Sequence, residues 1–376
     1  MIKSLFIALI STCVFISNIC YSFETKAEYA ILVDALTQEV LFEKNADTAM
    51  APSSMSKLMT IYMVFDALKK NILTLNDKFT VSENAWKKAG SKMFIHVNDQ
   101  VSIQDLLRGI IIQSGNDACI TIAEGMSGSE ENFAHAMNEK AKEIGLKNSY
   151  FKNSTGWPEE HHLMSSRDLS ILAYRLINDF PEYYNFFSEQ SFTYNNIKQD
   201  NRNMLLSRNV GADGLKTGHT EIAGYGITAS AKKDERRLIL VVNGLGSTVE
   251  RANEAEKLLQ YGFLNFKNLD LFKAGEVVDN AKTWLGKEEI VPLATETDII
   301  ITVPKYSTKD IKVAMNYNMP IKAPIEKGQK LGELKIEISD NSQPIYYNLV
   351  ATKSIEKISS INKFFKNILY LLFNKF

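Results

Sequence analysis

The strongest constraint on the fold is a stretch of apolar residues between positions 58 and 68. Its apolar members are Leu58, Met59, Ile61, Tyr62, Met63, Val64, Phe65 and Leu68. At helical spacing these side chains occupy almost the whole circumference, and a helix that is apolar nearly all round is buried inside a domain. Ser53 precedes the stretch and is a residue type that caps helix N-termini. The sequence therefore predicts a central helix, capped by Ser53 and enclosed by other elements.

Ser54 and Lys57 stand three residues apart at the start of this helix, so their side chains share one face. A serine hydroxyl becomes a good nucleophile when a neighbouring base takes its proton, and a neutral lysine can be that base. Burial and a second nearby cation both lower the pKa of a lysine. The free N–H groups at the helix N-terminus would also stabilise developing negative charge. The pair is therefore a candidate nucleophile and base. In our interpretation the same spacing occurs by chance at Ser149/Lys152, Ser230/Lys233, Ser354/Lys357 and Ser360/Lys363.

A second polar cluster lies at a break between two apolar helices. Ser102 and Asp105 resemble a capping box, and the helix that they open ends at Ser114-Gly115-Asn116. Another helix is predicted from Asp117. A serine and an asparagine at a glycine break are candidates for a functional site, and both are also favoured as helix caps. The sequence leaves both interpretations open.

A third candidate site, Lys216-Thr217-Gly218, leads into a predicted β-hairpin. The hairpin strands cover 224–231 and 237–242, joined by the charged turn 232–235. Glycine at position 218 would leave room for an extended substrate beside the strand. The alternative is an ordinary solvated Lys-Thr pair in a turn. Another hairpin is predicted over 28–42.

Composition and spacing argue against several kinds of partner. The formal net charge of -1 makes nucleic acid an improbable partner. His161 and His162 are adjacent, but no nearby cysteine or third histidine completes a metal site. We interpret them as loop residues and expect neither a metal ion nor a cofactor.

The first 22 residues have the pattern of a secretory signal peptide. Lys3 precedes an apolar run over 5–19, and the small residue Ser22 marks the expected cleavage site. A retained membrane anchor is the alternative, although the run is short for a membrane span. Removal of 1–22 leaves Cys119 as the single cysteine, so we expect no intramolecular disulfide.

The remaining sequence predicts an α+β fold in two domains followed by a terminal helix. Residues 23–266 form the domain that contains the three candidate sites. Residues 275–352 contain short β-rich runs broken by glycine and proline, which indicates a small all-β domain. Residues 359–376 place apolar side chains on one helical face and lysines and asparagines on the other. Such a helix suits the membrane interface, and packing on the β domain is the alternative.

The three sites in this order resemble those of serine acyl-transferases that act on penicillin-like and D-alanyl-D-alanine substrates. The segments Ile112–Ala118 and Asp213–Thr220 extend the resemblance to the D-alanyl-D-alanine carboxypeptidases, which are low-molecular-weight penicillin-binding proteins. The β-rich second domain and the terminal helix fit the same family. The resemblance covers essentially the whole chain after residue 22. It implies a β-lactamase/DD-peptidase-like catalytic domain with an antiparallel sheet and helices.

The resemblance also implies roles for matching residues. Ser54 would attack the carbonyl between two D-alanines, and Lys57 would be the general base. Ser114 would link the hydrogen-bond network and help deliver a proton to the leaving amine, and Asn116 would hold a substrate amide. The residues implied in substrate binding are Lys216, Thr217, Gly218 and His219, with Arg202 and Arg251 as weaker candidates that could equally be surface arginines.

Within that set, Lys216 and Thr217 would face the terminal carboxylate of the substrate, and Lys216 would help to keep Lys57 neutral. The backbone N–H groups of Ser54 and His219 would form the oxyanion hole. The implied partners are peptidoglycan stem peptides, β-lactam antibiotics and the membrane surface, with no nucleic acid. The implied location is the periplasmic face of the cytoplasmic (inner) membrane.

Three alternatives to a carboxypeptidase remain open at this point. A class A β-lactamase would need a Glu-x-x-Leu-Asn element between the second and third sites, and the segment Glu159–Leu163 lacks the asparagine. A transpeptidase would use the same acyl-enzyme. A non-catalytic module that binds cell-wall peptides is disfavoured by the intact candidate residues.

Overall fold

The computed structural model describes residues 23–306, 311–338 and 343–359. The predicted signal peptide at 1–22 lies outside the described residues, and so does the predicted terminal helix at 359–376, apart from Ser359. In the described part of the chain, no helix is long and apolar enough to span a membrane.

The first part of the chain is a mixed domain organised around one antiparallel sheet. Its strands are β1 Tyr29–Asp34, β2 Val40–Lys44, β3 Lys78–Thr80, β4 Gln100–Ser102, β5 Ser191–Tyr194, β6 Ile197–Asp200, β7 Ala212–Thr220, β8 Gly224–Lys233 and β9 Arg236–Leu245. The five-stranded sheet has the order β2-β1-β9-β8-β7, and each neighbouring pair is antiparallel. Both predicted hairpins, β1–β2 and β8–β9, are confirmed.

Helices cover both faces of this sheet. The helices of this part of the chain are α1 Lys57–Lys69, α2 Glu83–Lys87, α3 Ile103–Ile111, α4 Asn116–Ser127, α5 Glu130–Glu143, α6 Ser166–Asp179 and α7 Thr248–Asn265. Helix α6 packs in the core on one face of the sheet and α7 in the core on the other. Strand β1 shows why two layers form, since alternate residues of a strand point to opposite faces. Ile31 and Val33 join the core around α1, whereas Ala30 and Leu32 join the core under α7.

The predicted central helix is confirmed, but its predicted cap is wrong. Nearly all of α1 is buried, including Leu58, Val64 and Phe65. Ser53 lies inside a short 3-10 turn, Ser53–Ser56, with a φ of 49°. Its hydroxyl is paired with the Thr220 hydroxyl at 3.2 Å and caps no helix N–H. A contact with a distant strand has displaced the local capping bond.

The second part of the chain is all-β and has a core of its own. Its strands are β10 Phe266–Phe272, β11 Val277–Trp284, β12 Ile290–Thr295, β13 Ile299–Pro304, β14 Ile311–Tyr317, β15 Ile321–Lys322, β16 Lys330–Ile338 and β17 Ile345–Ala351. Six of them form a sheet in the order β14-β16-β17-β12-β11-β15, and β10 pairs with β13. Strand β10 fills the interval between the predicted ranges 23–266 and 275–352, which we retain as a proposed division of the chain.

Candidate active site

The 3-10 turn before α1 brings Ser54 and Lys57 into contact. Lys57 Nζ lies 2.9 Å from Ser54 Oγ, as the spacing of one helical turn predicts. The side chain of Lys57 is fully buried, whereas Ser54 lines an open cavity. A buried amine therefore reaches from the core to a hydroxyl at the protein surface.

Lys57 has two further hydrogen-bond partners besides Ser54. Its Nζ donates to Asn116 Oδ1 at 2.8 Å and to the backbone carbonyl of Thr155. Burial lowers the pKa of Lys57 to about 8, with a smaller contribution from the positive charge of Arg202. A substantial fraction of this amine is therefore neutral near pH 8, which is the form that can accept a proton.

The second predicted site supplies Asn116, which bonds Lys57 directly, and Ser114, which lies two positions earlier in the chain. Asn116 begins α4, and its Nδ2 donates to the Ala89 carbonyl at 2.8 Å, so its Oδ1 must face Lys57. Ser114 has a φ of 60°, and its Oγ is buried with no hydrogen-bond partner among the described residues. A buried hydroxyl that bonds to nothing is available to a substrate or to a proton-transfer step.

Asp117 fixes the loop beside Asn116, and the motif did not identify it. Its buried carboxylate accepts hydrogen bonds from the backbone N–H groups of Met93 and Phe94 at 3.0–3.1 Å. Burial raises the pKa of Asp117. In the same loop, the carbonyl of Ser91 accepts a hydrogen bond from Asn116 N at 2.7 Å. Together these bonds hold one wall of the cavity against the start of α4.

The third predicted site lies on the edge strand β7. Lys216 and Thr217 are buried, and Lys216 Nζ donates to the Thr217 carbonyl at 3.2 Å. Burial lowers the pKa of Lys216 well below its usual value, and the charges of Lys57 and Arg202 add to the effect. A Cβ on Gly218 would lie 3.0 Å from the Pro52 carbonyl oxygen. Glycine there allows β7 to approach the turn that carries Ser54.

The two arginine candidates have different surroundings. Arg202 is exposed, and its Nη1 donates to Ser91 Oγ at 2.7 Å. Arg251 is buried in α7 and donates to the carbonyls of Arg202 and Gly218 at 3.2 and 3.5 Å. Burial lowers its pKa to about 10. Arg251 is therefore not a surface arginine. Its hydrogen bonds connect α7 to the backbone of β7 and to the backbone of Arg202.

Ser54 of the first site, Asn116 of the second and His219, which directly follows the third, meet around one open cavity of about 320 Å³. Ser54, Asn116 and His219 line it together with Ser91, Thr155 and Trp157. The His219 ring is exposed and stacks on Tyr225 with 3.9 Å between ring centroids. A volume of about 320 Å³ lies at the lower end of the range for ligand pockets, and Ser54 is part of the wall.

The loop Asn153–Trp157 is the part of the site that sequence reasoning missed. It supplies the Thr155 carbonyl that bonds Lys57, and Gly156 in this loop has a φ of 75°. A Cβ at Gly156 would lie 2.0 Å from the Ser53 carbonyl oxygen, so the loop packs directly on the turn of the nucleophile. A Thr-Gly pair in a loop-rich segment was the available signal.

The two adjacent histidines have no partners of metal-site type. Within the described ranges, no three His, Cys, Asp or Glu side chains are grouped so as to hold a metal ion. His161 is exposed, whereas His162 is buried and its Nδ1 accepts from Lys152 N at 3.2 Å. Burial lowers the pKa of His162 to about 4, so it is a neutral structural residue at ordinary pH.

Two family models match the chain over different ranges. The model described as D-alanyl-D-alanine carboxypeptidase matches residues 17–246. The model described as Penicillin-binding protein 5, C-terminal domain, matches residues 266–357. The first match contains all three predicted sites and every candidate residue except Arg251, and the second contains the all-β part.

Individual proteins give the same similarity over most of the chain. The D-alanyl-D-alanine carboxypeptidase DacC of Escherichia coli (strain K12) is 39% identical over 320 residues, covering 83% of this chain and 80% of that protein. The solved structure of penicillin binding protein 5 from Haemophilus influenzae is similar with a TM-score of 0.82 and 36% identity, covering 89% of this chain and 99% of that one. Penicillin-Binding Protein D2 from Listeria monocytogenes, solved in an ampicillin-bound form, has a TM-score of 0.59 and 29% identity, covering 64% of this chain and 99% of that one.

Proposed function

This chain belongs to the D-alanyl-D-alanine carboxypeptidase family of serine peptidases, and we propose that it removes the terminal D-alanine from peptidoglycan pentapeptides. The reaction would proceed through an acyl-enzyme on Ser54. The observation that carries the proposal is the 2.9 Å contact between Ser54 Oγ and the buried Lys57 amine, whose pKa is lowered to about 8.

In the proposed acylation step, Ser54 Oγ attacks the carbonyl carbon between the two D-alanines while Lys57 takes the hydroxyl proton. The backbone N–H groups of Ser54 and His219 would bind the resulting oxyanion, and each such donor is typically worth about 3 kcal/mol. Collapse breaks the C–N bond, and the proton that Lys57 took from Ser54 passes to the leaving amine with the help of Ser114. Water then attacks the ester: its oxygen and one hydrogen join the carbonyl carbon, its other proton goes to Ser54 Oγ, and the C–O bond to Ser54 breaks, which releases the shortened peptide.

The substrate would be held from two sides of the cavity. Asn116 would bind a backbone amide of the peptide, while Lys216 and Thr217 on β7 would face the terminal carboxylate. Gly218 would keep the strand close to the peptide, and Arg202 is the second cation available to the carboxylate. An extended peptide beside an edge strand is a common mode of recognition.

We propose that the same serine is acylated by β-lactam antibiotics. The related Listeria monocytogenes protein has been solved in an ampicillin-bound form, and a β-lactam carbonyl would enter the site like the peptide carbonyl. The role in the cell would be in cell-wall synthesis and maintenance of cell shape. Export by 1–22 and attachment by 359–376 would place the enzyme on the periplasmic face of the cytoplasmic membrane.

The test is D-alanine release from a pentapeptide, combined with labelling by a fluorescent penicillin. Wild-type protein should do both, and Ser54→Ala should do neither. Ser114→Ala should still be labelled, but more slowly. Labelling of Ser54→Ala without labelling of Ser114→Ala would show that the nucleophile has been assigned to the wrong residue.

A further inference from the structure

We infer that Asn153 is a positioning residue that directs the lone pair of Lys57 toward Ser54 by holding the Thr155 carbonyl in place. The inference rests on the proposed function and adds a residue to it. Asn153 lies in the same loop as Thr155, which is 98 positions from Lys57 in the sequence. It lies outside the three sequence motifs.

The surroundings of Lys57 fix which of its neighbours can give it a proton. A neutral amine has two N–H bonds and one lone pair, which point to three corners of a tetrahedron. The Thr155 carbonyl can only accept, and Asn116 Oδ1 can only accept because Nδ2 is bonded to Ala89. The two N–H bonds therefore point at Asn116 and Thr155. Among the three groups that the described residues place in hydrogen-bond contact with Lys57 Nζ, Ser54 is the one that can donate, so the lone pair is left facing Ser54 Oγ at 2.9 Å.

Asn153 determines where the Thr155 carbonyl lies. Its Oδ1 accepts from the backbone N–H groups of Thr155, Gly156 and Trp157 and from the Thr155 hydroxyl, at 2.9–3.2 Å. Its Nδ2 donates to the Trp157 carbonyl at 3.1 Å. One side chain thus bonds both sides of Thr155 and closes the loop on itself. Asn153 is buried, so water cannot readily replace these bonds.

Ser154, the residue in between, is anchored by other groups. Thr60 Oγ1 donates to the Ser154 carbonyl at 2.7 Å, and the Ser154 N–H and hydroxyl donate to Glu130 at 3.0 and 2.6 Å. Loss of the Asn153 side chain would leave these bonds in place. We therefore expect the loop to remain attached to the domain while the Thr155 peptide loses its fixed direction.

The experiment compares Asn153→Ala with Asn138→Ala. Asn138 is a matched control, because its side chain bonds both the N–H and the carbonyl of Phe151 at 2.8 Å and touches none of the groups around Lys57. Both variants should lose thermal stability. Only Asn153→Ala should lose penicillin acylation rate, by about 10- to 100-fold, since small misplacement of a catalytic group has effects of this size. Its kcat on the pentapeptide should fall with KM nearly unchanged.

Asn153→Asp keeps the acceptor oxygen toward Thr155 but replaces Nδ2, which donates to the Trp157 carbonyl and to Glu159 Oε2, by an oxygen. It should therefore cost stability while it keeps the bonds that position Thr155. Measured above pH 8, it should acylate faster than Asn153→Ala even if it is less stable. Equal acylation by Asn153→Ala and Asn138→Ala, or by Asn153→Asp and Asn153→Ala, would overturn the inference. If wild-type protein itself neither binds penicillin nor releases D-alanine, the proposed function is wrong. That result differs from either case of equal acylation, which would overturn the role of Asn153 alone.

Discussion

The amide oxygen of Asn116 lies 2.8 Å from the side-chain nitrogen of Lys57, although 59 positions separate the two residues in the sequence. Asn116 cannot turn round, because its Nδ2 is bonded to the Ala89 carbonyl. Among the described residues, Lys57 has polar neighbours but no carboxylate bonded to it. An amine buried without a counter-ion has a lowered pKa. Activity and stability should both depend on this one titration.

The rate of penicillin acylation should rise with pH and level off above the pKa of Lys57, about 8. Lys57 can accept the Ser54 proton only when it is neutral, and the neutral fraction grows as the pH rises through this pKa. The measurement is the second-order acylation rate constant over a pH range that spans this value. If the acylation rate constant is already maximal well below this pKa, Lys57 is not the general base.

Replacement of Lys57 by methionine should change how stability depends on pH. The folded-state pKa of about 8 lies below the ordinary 10.5, so the unfolded chain binds the proton more tightly. The resulting penalty on folding is complete below the folded pKa and disappears as the pH rises past the unfolded one. The difference between these two pKa values corresponds to about 3 kcal/mol. Methionine carries no charge and escapes this penalty. The unfolding free energy of Lys57→Met minus that of wild type should therefore be about 3 kcal/mol larger at neutral pH than at pH 10.5.

Urea unfolding at several pH values measures this effect. Lys69→Met is the control, since Lys69 lies at the exposed end of the same helix. Its difference from wild type should not vary with pH in this way. If the Lys57→Met difference is equally independent of pH, burial of the charge does not limit the stability of this protein.

Elements whose signals lie within one short segment could be predicted from the sequence. Ser102 caps α3, and its hydroxyl is 3.2 Å from Asp105 N, as the capping box predicts. The β8–β9 hairpin turns between Lys233 and Arg236, inside the predicted charged region. Alternation and capping act over a few residues, so a single stretch of sequence is enough to reveal them.

Contacts between distant segments could not be predicted in this way. Ser53 bonds Thr220, which is 167 positions away, and this contact replaces the predicted cap. The Thr155 carbonyl that bonds Lys57 belongs to the backbone, and any residue type could supply it. Sequence motifs identify side chains, whereas the loop that completes the surroundings of Lys57 contributes a main-chain atom.

Lys216→Ala should reduce kcat/KM more for a peptide with a free terminal carboxylate than for the same peptide as its amide. A hydrogen bond to a charged group is typically worth about 1.5–3 kcal/mol, and an amide offers no charge to recognise. A bound carboxylate would also raise the pKa of Lys216, which burial lowers in the free enzyme. The same comparison of acid and amide peptides with Arg202→Ala tests whether Arg202 also binds the terminal carboxylate. Equal losses on both peptides would exclude carboxylate recognition by the residue concerned.

Activity should survive exhaustive treatment with a chelator. The described residues contain no group of His, Cys, Asp and Glu side chains arranged for a metal ion, and every proposed step uses a side chain, a backbone N–H or water. D-alanine release before and after chelation is the measurement. Loss of activity that zinc restores would require a metal role for His161 and His162.

The terminal segment 359–376 has one apolar and one polar helical face by sequence. The apolar stripe consists of Ile361, Phe364, Phe365, Ile368, Leu369, Leu372, Phe373 and Phe376. Interruption by lysines makes the segment unsuitable as a span, but a helix with one aromatic face and one basic face binds at a membrane surface. A chain that ends at Ser360 should therefore leave the membrane fraction and keep near-normal activity on small peptides. In the full chain, Phe365→Asp should weaken sedimentation with anionic lipid vesicles, whereas Asn367→Asp on the polar face should have a smaller effect. If the shortened protein still sediments with vesicles or unfolds, the stripe packs on the protein and is not a membrane anchor.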